Sequence, residues 1–174
     1  MRWIALLRGI NLGPRHKFPM ARVRAVFEGN DATNVTTFIA SGNVVFDHAE
    51  RSEAKLCARL EAALTSEAGF DVPVMLRTRA QLEQVLAKNS FSDQPTKFVH
   101  VTFLAKKPAA AAIQAIDASD CAPESFAVVG REVYLLLPNG MGVAKLPPKL
   151  NALRVTGTTR TWQTVSKLAE LARG

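Results

Sequence analysis

Apolar positions along the chain fall into short runs with two spacings. Trp3 to Leu7 is apolar without alternation, the pattern of a strand buried on both faces. After a polar loop over residues 8–18, Met20, Val23, Val26 and Phe27 recur at helical spacing, with Pro19 suited to the first helical position and Gly29-Asn30 as the stop. Val35, Thr37 and Ile39 alternate with Thr36, Phe38 and Ala40, which is strand spacing. Ser41-Gly42-Asn43 reads as a tight turn, and Val44-Val45-Phe46 as the returning strand. A helix with the spine Leu56, Leu60 and Leu64 runs from Arg51 to Ala68 and stops at Gly69; Val72, Val74 and Leu76 follow as a strand.

A capping box, Thr78 with Gln81, opens the next helix, whose apolar face is Leu82, Val85 and Leu86. Phe98 to Leu104 is a strand, Pro108 opens a helix with Ile113 and Ile116, and Phe126–Val129 pairs with Val133–Leu137 around Gly130-Arg131. Residues 138–161 are rich in Pro and Gly and read as mostly loop, before a last helix with Trp162, Val165, Leu168 and Ala169 on its apolar face. Trp162 is expected to anchor the core through that face.

Residues 1–78 therefore give β-α-β-β-α-β, the ferredoxin-like order of two split βαβ motifs. Residues 79–174 give a leading helix and then β-α-β-β-α, the same order without its final strand. The expected fold class is α+β: two ferredoxin-like halves packed together, 1–78 and 79–174, with antiparallel sheets and helices. The non-alternating strands lead to the expectation that the halves cover each other.

Composition narrows the class. Nearly half of the 174 residues are apolar and a fifth are charged, which is globular and not disordered composition. No run approaches the ~20 apolar residues of a membrane span and no secretory signal is visible, so a soluble, cytoplasmic protein with no membrane partner is expected. Cys57 and Cys121 are too few for a disulfide scaffold, and Cys57 reads as a small buried hydrophobe. His16, His48 and His100 form no short-spaced ligand pair, so no metal and no cofactor is expected. His100 alternates with Val99 and Val101 and reads as a half-buried, satisfied histidine.

The net charge of +7 is concentrated at the ends. Residues 1–27 hold six Arg/Lys and no acid, and residues 133–169 hold five and no acid, whereas the middle holds ten against fourteen. Basic segments that meet in space suit a phosphate or polyanion, although a basic balance also serves solubility alone.

The candidate chemistry sits in Arg8-Gly9-Ile10-Asn11-Leu12-Gly13-Pro14-Arg15-His16-Lys17, a Gly- and Arg-containing connection between strand and helix. In the expected topology the first and second strands run parallel with the third between them. Their exits then lie at one end of the sheet, about 4.8 Å apart per strand step. Arg8, Asn11, Arg15, Lys17, Ser41 and Asn43 form the candidate anion-binding edge, with Arg160 added from the second basic segment. Structural roles compete with this: Ser41 and Asn43 in the turn, and Asn11 capping its own loop. Neither dinucleotide, P-loop nor nucleophile-elbow spacing is present, and no catalytic residue can be assigned.

Arg-Gly-Ile-Asn-Leu-Gly (8–13), Ser-Gly-Asn-Val-Val-Phe (41–46), His-Val-Thr-Phe-Leu (100–104) and Thr-Thr-Arg-Thr-Trp-Gln-Thr-Val (158–165) resemble, in order, the signature blocks of the domain-of-unknown-function 1697 family. The resemblance spans essentially the whole chain. It implies a bacterial-type cytosolic protein of two ferredoxin-like halves with no established activity. Pro14 stands where the family usually has a second Gly, which removes an N–H donor from the loop. Thr161 and Gln163 replace the usual Asn on either side of the Trp, and Thr161 keeps an N-cap role.

Three functions compete: a phosphate- or polyanion-binding module, with nucleic acid as one such partner; a small-molecule enzyme or sensor for a phosphorylated or carboxylated ligand; and a non-catalytic protein-interaction module. The ferredoxin-like order is shared with RNA-recognition domains, but their aromatic motif is missing, so binding would go to backbone phosphate through loops.

Overall fold

The computed structural model describes all residues from Met1 to Gly174. The chain forms two compact units, Met1–Glu83 with Lys167–Gly174, and Gln84–Ser166. The first holds β1 (Arg2–Leu7), α1 (Met20–Glu28), β2 (Thr33–Phe38), β3 (Asn43–Asp47), α2 (Glu53–Ala68) and β4 (Val74–Thr78). Its sheet has the order β2-β3-β1-β4 with every neighbour antiparallel. The β-α-β-β-α-β reading of this segment therefore holds, with small boundary shifts. Pro19 caps α1 from one position earlier, and Asn43 belongs to β3, so the turn is Ile39–Gly42.

One face of this sheet carries Trp3, Ala5, Leu7, Val44, Phe46 and Leu76 onto Val23 and Phe27 of α1 and Leu56, Leu60 and Leu64 of α2. Phe27 and Phe46 meet edge to face at 4.9 Å, an arrangement that the ring quadrupole favours. The alternate positions, Ile4, Leu6, Val45, Met75 and Arg77, point the other way and are buried too. That double burial explains why Trp3–Leu7 shows no alternation. Helix α2 starts on the Ser52 side chain, which accepts the Lys55 amide, and ends at Gly69 with φ 78°, the left-handed cap that Gly tolerates.

The capping box holds: the Thr78 amide donates to Gln81 Oε1 at 2.8 Å and the Gln81 amide to Thr78 Oγ1 at 3.2 Å. It opens α3 (Arg79–Ala87). The second sheet is built from β5 (Val99–Leu104), β6 (Ser125–Val129), β7 (Glu132–Leu136) and β8 (Gly157–Thr161), in the order β6-β7-β5-β8. Its helices are α4 (Ala110–Gln114), α5 (Leu146–Lys149) and α6 (Trp162–Arg173), and α6 continues from the second unit into the first.

Here the reading of residues 138–161 as mostly loop is corrected. The second sheet does have its fourth strand, β8, and α5 with the flanking 3-10 turns fills most of the stretch before it. The strand is Gly-Thr-Thr-Arg-Thr, in which Thr158 and Arg160 are the buried alternates. Its period of two is written in polar residues, so a hydrophobic pattern cannot register it. Trp162 is also corrected as a core anchor: it is half-buried at the start of α6, and the buried stripe is Val165, Leu168, Ala169 and Ala172. Thr161 does cap the helix, its hydroxyl accepting the Thr164 amide at 3.2 Å.

Three strands of each sheet repeat the same register, while the edge strands differ, β2 carrying a bulge between Thr33 and Thr36 that β6 lacks. Ile4 lies opposite Arg77 on one side and Val45 on the other, and Val101 lies opposite Arg160 and Tyr134 in the same way. Leu7 donates to Gly42 O at 2.7 Å and Arg8 to Pro73 O at 2.9 Å; Leu104 donates to Arg131 O and Ala105 to Thr156 O, both at 2.8 Å. Arg77-Thr78 and Arg160-Thr161 each end a fourth strand with a Thr that caps the helix after it.

Phe46 packs on Phe27 of α1 in the same core cluster as Leu56, Leu60 and Leu64 of α2. Phe46→Ala is expected to cost about 3–5 kcal/mol of unfolding free energy. Chemical denaturation followed by circular dichroism checks this.

Candidate functional site

In the first unit β3 runs antiparallel to both β1 and β2, so those two run parallel and end at the same edge. Leu6 is paired with Asn43 there, and the Leu7 amide donates to Gly42 O at 2.7 Å. Gly42 has φ +85°, and a Cβ on it would stand 2.7 Å from Leu7 Cβ and 2.9 Å from Ile10 Cδ1. Only glycine lets the β2–β3 turn lie this close to the β1 exit.

Asn11 holds the two loops together. Its Oδ1 accepts the Phe18 amide at 2.8 Å, and its Nδ2 donates to Phe18 O at 2.9 Å and to Ala40 O at 2.8 Å. The Asn11 amide also donates to His16 O at 2.9 Å, which closes residues 11–16 into a tight loop. Asn11 and His16 sit at φ 55° and 58°, and Ile39 in the facing turn at φ 51°. A β-branched residue in that region is strained, and such strain concentrates where geometry is held for a purpose. The His16 ring stacks on Phe70 at 4.3 Å, which fixes the far side of the loop.

Several cations are paired with carboxylates. Arg2 pairs with Asp47 at 3.1 Å, Arg22 with Glu67 at 2.6 Å and Arg24 with Glu28 at 3.6 Å. Arg59 pairs with Asp31, whose carboxyl is thereby held below its ordinary value. Arg8, Arg15 and Lys17 are exposed and make no ion pair or side-chain hydrogen bond. In the second basic segment Lys149 is paired with Asp120, which lowers the carboxyl and raises the amine, and Lys167 pairs with Glu170 at 2.8 Å.

Five of the seven candidate residues, Arg8, Asn11, Arg15, Lys17 and Ser41, thus lie in the two joined loops, and Asn43 opens the strand that follows. Arg8, Arg15 and Lys17 are exposed and unpaired. Asn11 and Asn43 are committed to the backbone: Asn43 is fully buried and donates to Phe38 O at 3.0 Å and to Ser41 Oγ at 3.1 Å. Arg160 lies on β8, in the other unit. It is buried, donates to Thr158 Oγ1 at 2.7 Å and Thr159 O at 2.9 Å, and burial pushes its pKa down to about 10.

Two exposed apolar side chains at the same edge were not among the candidates. Leu12 is 72 % exposed and Ile39 is 50 % exposed, beside the Asn11–Ala40 bond. The signal in the sequence was an apolar residue inside each polar turn. No group of three or more His, Cys, Asp or Glu side chains is placed to hold a metal ion. Cys57 is half-buried with its thiol donating to Val74 O at 3.1 Å.

A fold of two four-stranded antiparallel sheets, each with its helices, defines this as a two-half α+β protein. The family model described as "Protein of unknown function (DUF1697)" matches residues 1–134, and the chain belongs to that family. Its fold is similar to that of a conserved bacterial protein, SP0830, from Streptococcus pneumoniae: TM-score 0.78 at 20 % identity, covering 98 % of each chain. At that identity the likeness concerns the fold. No curated protein matches the chain.

His100 gives a pH test of the scaffold. It is buried on β5, and desolvation holds its pKa below the ordinary 6.5, with a weaker opposing pull from the Phe98 carbonyl. The unfolded chain therefore binds more protons than the fold once the pH drops below about 6.5, and stability falls in that direction. Urea denaturation above and below this pH is expected to show a larger loss for wild type than for His100→Gln.

Proposed function

We propose that the first half binds a phosphate-bearing polyanion through the loop of residues 8–18, with Arg8, Arg15 and Lys17 as the contacting cations. The observation that carries this is their lack of partners, whereas Arg2, Arg22 and Arg24, the arginines nearest in sequence, are paired to carboxylates. Three unneutralised charges on one rigid loop are repulsive in the free protein and are relieved by an anion. Asn11 ties this loop to Phe18 and to Ala40 of the facing turn. Nucleic acid is the polyanion whose backbone offers phosphates in series, read here without base contacts.

The finer fold class we propose is ferredoxin-like for both halves, supported by the common strand order of the two sheets. A reducing, cytoplasmic location is part of the same proposal and fits two free cysteines. Loss of a backbone N–H at Pro14 fits side-chain cations, not a backbone cradle, as the contacts.

A titration of labelled single- and double-stranded nucleic acid at two salt concentrations tests the reading. Three phosphate contacts predict a log–log salt slope of about −2 to −3. Arg8→Ala/Arg15→Ala/Lys17→Ala should abolish that slope while leaving the thermal melt unchanged. Absence of binding at low salt, or binding that the triple variant retains, overturns it.

A further inference from the structure

Each sheet ends in two strands with an open side: β2 and β4 in the first, β6 and β8 in the second. An open side presents unpaired N–H and C=O groups, a template for another strand, and proteins block it with charged side chains or covering bonds. Three of these four strands carry such bonds. On β2, Arg24 donates to the Val35 carbonyl and Arg2 to that of Asn34 at 3.5 Å. On β4, the Val74 amide donates to Glu61 at 2.8 Å, its carbonyl accepts the Cys57 thiol at 3.1 Å, and Arg77 donates to Leu76 O at 2.7 Å. On β8, Arg160 donates to the Thr159 carbonyl at 2.9 Å.

Strand β6 has nothing of the kind. Its ladder to β7 is its one set of backbone bonds, and no side chain reaches its main chain. Its sequence, Ser-Phe-Ala-Val-Val, contains no charge, no Pro and no Gly. Phe126 and Val128 pack into the core of the second unit, while Ala127 and Val129 on the other face stay half-exposed.

We propose that β6 pairs antiparallel with β6 of a second copy of this chain, about a two-fold axis, joining the two second-unit sheets into one continuous sheet. Self-pairing suits this strand because each copy offers the same unpaired donors and acceptors. In a chain of net charge +7, it is also a contact that sets no like charges opposite each other. Pairing about a two-fold axis uses the same edge on both copies, so assembly closes at a dimer and does not propagate. A five-residue strand gives a small interface, so the dimer is weak and concentration-dependent.

Sedimentation velocity of the full chain from micromolar to millimolar concentration is the first arm, and a shift from monomer to dimer is expected. Ala127→Lys/Val129→Lys should raise the dissociation constant about tenfold or more, by placing lysines along the paired edge. Circular dichroism verifies that the variant is folded. The second arm needs no variant: amide hydrogen exchange of wild type should show β6 protection that grows with protein concentration while β2 does not change. A monomer throughout with β6 exchange independent of concentration overturns the proposal, and so does a dimer that the folded variant leaves intact. The outcome is independent of anion binding by the loop of residues 8–18.

Discussion

The position of β3 between β1 and β2 is the constraint on which the rest of the first unit depends. Because it is antiparallel to both, the two outer partners must leave the sheet at one end. The loops that follow them are then neighbours whatever their sequence. What the sequence adds is the closeness: a Gly42 with no Cβ to collide with Leu7, and an Asn11 side chain that bridges from its own loop to Ala40. Each bond of a buried or half-buried amide is modest, about 1 kcal/mol, but leaving its partners bare costs more. Asn11 makes three, so the loop conformation is over-determined and can hold several left-handed residues.

The same frame is built twice, and the two buried arginines show what repeats. Arg77 and Arg160 occupy the same register position on the fourth strand of their sheets, and each donates back to the carbonyl of the preceding residue. Burying a guanidinium is costly unless its donors are bonded. Even with its pKa pushed down to about 10, Arg160 keeps its charge at neutral pH. Trp3, which matches His100 in this register, is a contrast: its indole N–H is buried with no partner. The ring's packing against the helices must outweigh that loss.

Much of this frame was legible because the first unit writes its strands in Val, Ile, Leu and Phe. The capping box at Thr78, the Gly69 stop and the Gly130-Arg131 hairpin follow from local chemistry, and local chemistry is what a sequence displays. The strand β8 was hidden because its inward positions are Thr158 and Arg160. Trp162 was misplaced because helical spacing gives a face but does not say how far along that face the core extends. Of the candidate site, the meeting of the two loops followed from topology. The division of labour within it did not: whether an Asn binds a ligand or its own backbone, and which arginines find carboxylates, are long-range facts.

That division changes how the basic composition is to be understood. A net charge of +7 by itself fits solubility as well as it fits binding. Solubility places no demand on where the charges sit or on what shapes the backbone around them. Arg8, Arg15 and Lys17 are grouped on one loop that two neighbouring turns hold in place, with His16 stacked on Phe70 between them. Their nearest arginines in sequence, Arg2 and Arg22, reach carboxylates on other elements instead. Under the proposed anion binding, a ligand on this loop is what would relieve the repulsion among its three cations.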